Sequence, residues 1–456
     1  MTTINKRIWG WMFFDWASQP FSTLLITFIF APYFISGVMS DSVLAQEYWG
    51  WMMAISGAIL AISAPILGII VDNHSTKNPF MVVFSACIIV GSLFLWTAEP
   101  NANHIFWILA FFGLALVGVE FATIITNSML PNLGLIKDVG RISGSGWAFG
   151  YIGGIIALAI MLLLFAESET GRTLINIEPL FGLNPEEREG TRFVGPFCAL
   201  WYTIFIIPFF LWSKADDKEG IKNKAKHAKM GIKTPMWKLF KNDLGTLYTL
   251  FTSLGSQRSL AAYLLSSMFY RDALAGIFAF GGIYAAGVLG WSVTQLGLFG
   301  ILALVFGAIA AWVGGYFDSR VGPKAVIAVS IGVLVLVCFI IISTSLEEVL
   351  FIPIAEGSPL PHVVFWICGC MIGASGGSLQ SSSRTMMVLQ ARGERYTEAF
   401  GLYALAGKAT SFLAPFLIAL ATSYTGDQRL GISPVIFLAL IGLILLIWVN
   451  KNGDKE

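Results

Sequence analysis

"GGYFDSRVGPK" (Gly314–Lys324) ends one long apolar run and opens the next, and "GIIVDNHSTKNP" (Gly68–Pro79) does the same earlier, with Asp318 following Asp72 by 246 positions. In both, glycine leads to an aspartate and then to basic residues at a tight turn. Glycine lets two helices approach closely there. The aspartate pairs with a cation or caps a neighbouring helix N-terminus. A turn of this kind made twice points to a duplicated chain, and two further landmarks carry nearly the same spacing. Asp15 in "FFDWASQPF" precedes Asp272 in "FYRDALAGIF" by 257 positions, and Gly144 of "GSGWAFGYIGG" precedes Gly401 of "GLYALAGKATSFLAP" by the same 257.

Composition says what was duplicated. Of 456 residues, 56% are hydrophobic and only 12% charged, and the mean hydropathy is +0.75. A soluble domain carries about 25% charged residues, so this is a polytopic membrane protein. Twelve apolar stretches are long enough to span a bilayer: 8–36, 45–71, 79–98, 104–129, 142–166, 194–212, 259–289, 294–316, 324–345, 361–387, 397–424 and 433–449. No alternating strand pattern joins them, which excludes an outer-membrane barrel. The expected fold is an all-α membrane protein of twelve transmembrane helices in two pseudo-symmetric six-helix bundles, residues 1–212 and 257–456. A polar, Lys-rich linker, 213–256, joins them.

Basic residues orient the chain. With the N-terminus inside, 22 of the 28 Lys and Arg fall on its side, Arg384 among them, and 4 on the other; Arg271 and Lys408 lie within spans. The positive-inside rule then puts both termini in the cytoplasm of a bacterial-type inner membrane. The first helix reads as retained rather than cleaved. A net charge of +1 gives no case for a nucleic-acid partner. The linker lysines read as a solvated face able to touch anionic lipid. The Glu-rich connector 167–193 reads as an exposed loop on the opposite side. The five cysteines form no metal or disulfide pattern, and the four histidines lie in loops or at helix ends. No phosphate-binding Gly-x-x-x-x-Gly-Lys loop, metal-ligand set or nucleophile–base pair appears. A cofactor and an enzymatic role are therefore not expected, and the chain is expected to act as a monomer.

Five ionisable residues fall well inside spans: Asp15, Glu120, Arg271, Asp272 and Lys408. An ionised group at mid-bilayer costs about 2.5–3.5 kcal/mol even on the lenient insertion scale. Each is therefore held by a partner or kept for a use. Consecutive helical residues point about 100° apart, so Arg271 and Asp272 are poor partners for one another and are expected to look to different helices. Asp15 and Asp272 hold equivalent places in the two halves. Gln19 and Thr23 follow Asp15 at one-turn steps and give the first helix a polar stripe. A solute site is expected at Asp15, Gln19, Tyr270, Arg271, Asp272 and Lys408, with Asn127 and Gln380 as further polar residues. Proton coupling is expected at Glu120, Asp272 and Asp15, since a buried carboxylate takes a proton readily. Asp72, Lys77, Asp318, Arg320 and Lys324 are expected to form cytoplasmic latches. Pro65 and Pro415 are expected kinks.

The repeated Gly-Asp-basic turns resemble the signature of the major facilitator superfamily, its first copy reduced to Lys77 as the main basic residue. More narrowly, "GWMFFDWASQPF", "TNSMLPNL", "SGWAFGYIGG", "FYRDALAGIFAFGGIYAAG" and "EAFGLYALAGKATSFLAP" are similar to the autophagy-related vacuolar effluxer family and its bacterial relatives. The chain departs from that pattern at Arg271, where a small polar residue is usual, and at Ser18-Gln19-Pro20. The resemblance implies export of small solutes, with amino acids the best-known cargo. The expected function is secondary active transport by alternating access, moving a small polar solute and coupled to protons. The alternatives are a sodium- or proton-coupled sugar symporter and a non-transporting receptor or lipid-handling protein.

Overall fold

The structure is a computed structural model that describes residues 5–74, 76–168, 170–212, 257–291, 293–391 and 395–454. The linker expected at 213–256 lies outside the described residues. The spanning helices are α1 (Lys6–Val38), α2 (Ser42–Asp72), α3 (Asn78–Thr97), α4 (Ile105–Met129), α5 (Val139–Leu164), α6 (Glu189–Trp212), α7 (Arg258–Gly287), α8 (Val293–Val321), α9 (Pro323–Ile342), α10 (Leu360–Gln390), α11 (Tyr396–Thr425) and α12 (Gln428–Trp448). Among the described residues, eleven are long and apolar enough to cross a membrane. The remaining one, α7, has 30 residues and carries the Arg271–Asp272 pair. The strands β1 (Glu348–Val349) and β2 (Ile352–Pro353) form a small hairpin between α9 and α10.

The chain divides into two compact units. The first holds Met1–Asn127 and the chain from Phe149 to the linker; the second holds Ser128–Ala148 and the chain after the linker. The first ten residues of α5 thus pack with α8 and α10, and the end of α4 meets α11 through Ser128 and Thr397.

In the first unit α1 is not a uniform helix. It is α-helical to Pro20, then widens to π-type turns over Phe21–Phe28 and again over Phe34–Val38. Such turns concentrate at functional sites. Its core is aromatic: Phe30 stacks on Phe112 at 5.8 Å between centroids and Trp16 on Trp201 at 5.9 Å. Helix α2 runs through Pro65 without interruption.

Much of the α5–α6 connector is exposed, Glu178, Glu186 and Glu187 included, but charged groups at its two ends are buried. Glu167 is buried, with Oε2 accepting from Thr191 N at 3.0 Å and Oε1 paired with Arg188 Nε at 3.3 Å. Arg192 is buried too: it donates to the Trp96 carbonyl through Nε (2.9 Å) and Nη2 (2.7 Å), and it pairs with Glu99 at 3.1 Å. These contacts tie the two ends of the connector together and to the end of α3. Burial pushes the Glu167 carboxyl above the usual range, against the opposing pull of the Thr191 hydrogen bond and the Arg188 charge.

In the second unit the ends of the chain close on each other. Asp454 accepts from Ser259 N at 2.9 Å and from Leu260 N at 3.3 Å, capping the first turn of α7. Ser259 Oγ donates to Gln390 Oε1 at 2.6 Å and accepts from Asn450 N at 2.8 Å. One small network therefore ties the start of α7 to the ends of α10 and α12.

Candidate functional site

Helix α11 is broken. Its first segment, α11a, runs Tyr396–Ala409, and its second, α11b, runs Leu413–Thr425. Pro415 sits in the first turn of α11b, where its missing N–H breaks no helical bond. The break therefore precedes the proline, three residues long. Thr410 leaves helical geometry at φ −112°, ψ 3°.

The adjacent charges of α7 flank this break. Arg271 Nη1 donates to the Tyr403 carbonyl on α11a at 2.8 Å, and its guanidinium lies 4.2 Å from the centre of the Tyr403 ring. It rests directly on Gly407, where any side chain would occupy its place. Asp272 is buried, and its Oδ2 accepts from Ala414 N at 3.0 Å in the first turn of α11b. Through these two hydrogen bonds the pair reaches two segments of one helix. The arrangement is electrostatically ordered: the cation faces carbonyls of the segment whose C-terminus is negative, the anion the segment whose N-terminus is positive. Lys408, half-buried, stands in the last turn of α11a.

Tyr270, the third expected solute residue of α7, is fully buried. Its hydroxyl lies 2.8 Å from Ser383 Oγ on α10 and 3.4 Å from the Tyr263 hydroxyl. It buttresses α7 against α10. Gln380 bonds back to Gly376 O on its own helix.

In the first unit Asp15 and Gln19 are half-buried and Thr23 buried. This stripe lies on the glycines of α5. A side-chain carbon at Gly150 would sit 3.2 Å from the Asp15 Cβ, and one at Gly154 would sit 2.7 Å from Thr23 Oγ1 and 2.9 Å from Gln19 Cγ. Gln19 Nε2 donates to Thr23 Oγ1 at 3.3 Å. The glycine run of α5 is thus what admits a polar face of α1 at backbone distance. Glu120 lies half-buried in α4, and Asn127, buried, lies one residue before the boundary of the units.

The expected latch residues of the second turn take different partners. Asp318 is buried, accepts from Ser382 Oγ at 2.8 Å, and packs on Gly140 at the start of α5. Lys324 turns away to the carbonyls of Ile447 (3.1 Å) and Val449 (2.7 Å) at the end of α12, and Arg320 lies over the Tyr316 ring at 4.3 Å. Asp72 ends α2 and Lys77 precedes α3, both half-buried.

The sequence reading missed Arg384, which it counted in a cytoplasmic connector. The residue lies within α10 and is 2% exposed. Its Nε donates to Ser143 Oγ at 2.9 Å, its Nη2 to Ser143 O at 2.6 Å, and its guanidinium lies 5.1 Å from the Trp147 ring centre. Ser143 Oγ in turn donates to Ser381 O at 2.8 Å. The available signal was the run Ser381-Ser382-Ser383-Arg384, small hydroxyls leading to one cation.

Among the described residues no group of three His, Cys, Asp or Glu is placed to hold a metal ion. What the arrangement offers is charge held at an interrupted helix, the device by which membrane carriers handle ions and charged solutes.

Comparison with known proteins gives the family and the fold. Residues 43–456 match the family described as vacuole effluxer Atg22-like. The MFS-type transporter YxiO of Bacillus subtilis (strain 168) is 25% identical over 463 residues, covering 100% of this chain and 97% of YxiO. Autophagy-related protein 22-1 of Aspergillus fumigatus is 24% identical over 333 residues, covering 70% of this chain but only 50% of the fungal protein. In fold, the chain is similar to a bacterial homologue of the iron transporter ferroportin in an outward-facing state (TM-score 0.67, 15% identity, 98% of this chain and 99% of the other). It is also similar to the Escherichia coli fucose:proton symporter FucP (TM-score 0.64, 13% identity, 97% of each). The twelve helices have the major facilitator fold, and the chain belongs to the Atg22-like vacuole effluxer family, a membrane transporter of the major facilitator type rather than an enzyme.

Proposed function

We propose that this transporter exports a small zwitterionic solute, an amino acid foremost, by alternating access coupled to protons. It works as a monomer in a bacterial inner membrane with both termini in the cytoplasm. The observation that carries this reading is the Arg271–Asp272 pair at the α11 break: a guanidinium on one segment and a carboxylate on the next. In it, Arg271 and Lys408 attract the solute carboxylate, and Tyr270 keeps α7 seated. Asp15 and Gln19 are the residues of the first unit assigned to the solute. Glu120, Asp15 and Asp272 are assigned to proton movement. Asp318 on Ser382 and Gly140 belongs to the cytoplasmic latch, with Arg320 and Lys324 in its own turn, and Asp72 and Lys77 are assigned to the corresponding latch of the first unit.

The test is counterflow and gradient-driven flux in proteoliposomes, with labelled amino acids, sugars and peptides offered in parallel. An imposed proton gradient should drive amino-acid flux at fixed sodium, and Arg271→Gln should lower it by about tenfold or more, since a charged hydrogen bond contributes about 1.5–3 kcal/mol. Flux of sugars alone, or drive by sodium alone, sinks the reading.

A further inference from the structure

The two carboxylate oxygens of Asp272 are not equivalent. Oδ2 is committed to Ala414 N. Oδ1 is buried and has no hydrogen-bond partner among the described residues, on a side chain only 3% exposed. A buried carboxylate oxygen without a donor is costly to keep. At the same break the Thr410 hydroxyl is also buried without a partner, and a hydroxyl either donates or accepts.

The neighbouring charges are committed elsewhere. Arg271 is on the Tyr403 carbonyl, Tyr270 on Ser383, and Tyr263 on the Ser383 carbonyl. Arg384 of α10 is on Ser143, and Arg429 of α12 pairs with Glu348. On α11, Glu398 pairs with Arg395 at the far end, while Lys408 and Tyr403 stand on α11a. The electrostatic partner that Asp272 has in hand is the N-terminus of α11b.

We propose that Asp272 Oδ1 is the seat of the coupling proton and that the same proton sets the α11 break. With Oδ1 bare, a full negative charge caps α11b and holds its first turn to α7. When hydronium gives its proton to Oδ1, one of its O–H bonds breaking to leave water as the carboxyl O–H forms, the charge is gone and Oδ2 becomes a weaker acceptor. The first turn of α11b is then released, while Arg271 keeps α11a in place. Loss of the proton restores the cap. This deepens the proton-coupled reading and rests on it, by naming the atom that takes the proton and the element that moves.

The test needs no gradient. Purified protein in nanodiscs is acidified while infrared difference spectra follow carboxylic-acid carbonyls. Hydrogen exchange follows the peptide spanning Leu413–Phe416, corrected for the intrinsic pH dependence of exchange. The expected result is a carboxylic-acid band that Asp272→Asn removes. Protection of α11b should fall about tenfold across the same pH range, and in Asp272→Asn it should stay low at every pH. Thr410→Val, which keeps the carboxylate, should move the midpoint of the band without removing it. Wild-type protection that does not change with pH overturns the proposal whether or not Asp272→Asn folds, and so does a band that survives Asp272→Asn. Proton-driven flux retained in Asp272→Asn sinks this assignment and leaves coupling standing. The expected band, with flux indifferent to a proton gradient, sinks coupling and leaves the site.

Discussion

At Glu167 burial and ion pairing pull in opposite directions, and burial wins. The carboxyl accepts from Thr191 N and faces Arg188, yet its proton affinity is raised above the ordinary Glu value by desolvation. A group whose folded pKa exceeds its unfolded one binds more protons when folded, so stability falls as pH rises between the two values. The contribution is therefore full below about pH 4.3, the ordinary Glu value, and is lost as pH climbs through the raised folded value. Glu167→Gln, neutral at every pH, should remove this dependence. Thermal unfolding in detergent should show the wild type losing ground to Glu167→Gln as pH rises from about 4 to about 7. A constant difference between the two across that range contradicts the assignment. The contrast with Asp272 is instructive. Both carboxylates are buried, but Glu167 has an arginine within 3.3 Å, whereas Asp272 is held by the N-terminus of a half-helix.

Between elements, the same logic of close approach appears as glycine. Helix α1 turns a polar stripe, Asp15-Gln19-Thr23, onto α5, and α5 answers with Gly150 and Gly154. A methyl at Gly154 would meet Thr23 Oγ1 at 2.7 Å and Gln19 Cγ at 2.9 Å, closer than real carbons sit. Gly154→Val must therefore push α1 off α5 and unseat the Gln19–Thr23 hydrogen bond. Over-packing of this kind costs about 1–3 kcal/mol. Gly154→Val should lower the unfolding midpoint by several degrees and cut flux, with Gly50→Val as control, since nothing lies within 4 Å of that position. Equal behaviour of the two variants would count against the packing account. Helix number, the α7 charge pair and the glycine run of α5 were legible in the sequence because each is a local pattern. The α11 break was legible only as a kink at Pro415: "GKATSFLAP" stays apolar enough to pass as continuous helix, and the group that caps its second segment, Asp272, lies 142 positions away. Arg384 was hidden for a related reason. It lies near the end of a span, so charge counting placed it in the connector, and only the packing of Ser143 against α10 shows it to be enclosed.

For the molecule as a whole, the telling feature is that α5 is one continuous helix, Val139–Leu164, whose first ten residues pack within the second unit and whose remainder packs within the first. Alternating access in this fold requires largely rigid-body rocking of one bundle against the other. Under the alternating access proposed above, a continuous helix cannot absorb that motion along its length, and the contacts of its first ten residues with α8 and α10 are expected to open and re-form in each cycle. Those contacts are close: Arg384 on Ser143, Ser143 on Ser381, and Asp318 against Gly140; beside them Thr397 Oγ1 of α11 donates to Ser128 Oγ at the end of α4 at 3.0 Å. Arg384 carries the only full charge that donates across this set among these contacts. Hydrogen bonds from a charged group contribute about 1.5–3 kcal/mol, so removing them should shift an open–closed equilibrium by roughly tenfold or more. In a background with the native cysteines replaced, Ser145→Cys reports access to the start of α5. Arg384→Gln should raise its labelling rate by an impermeant thiol reagent several-fold, and Lys324→Gln, whose ammonium serves the end of α12, should leave it unchanged. If Arg384→Gln lowers the unfolding midpoint but leaves labelling as it was, Arg384 only packs α10, and the segment 128–148 does not open in the cycle.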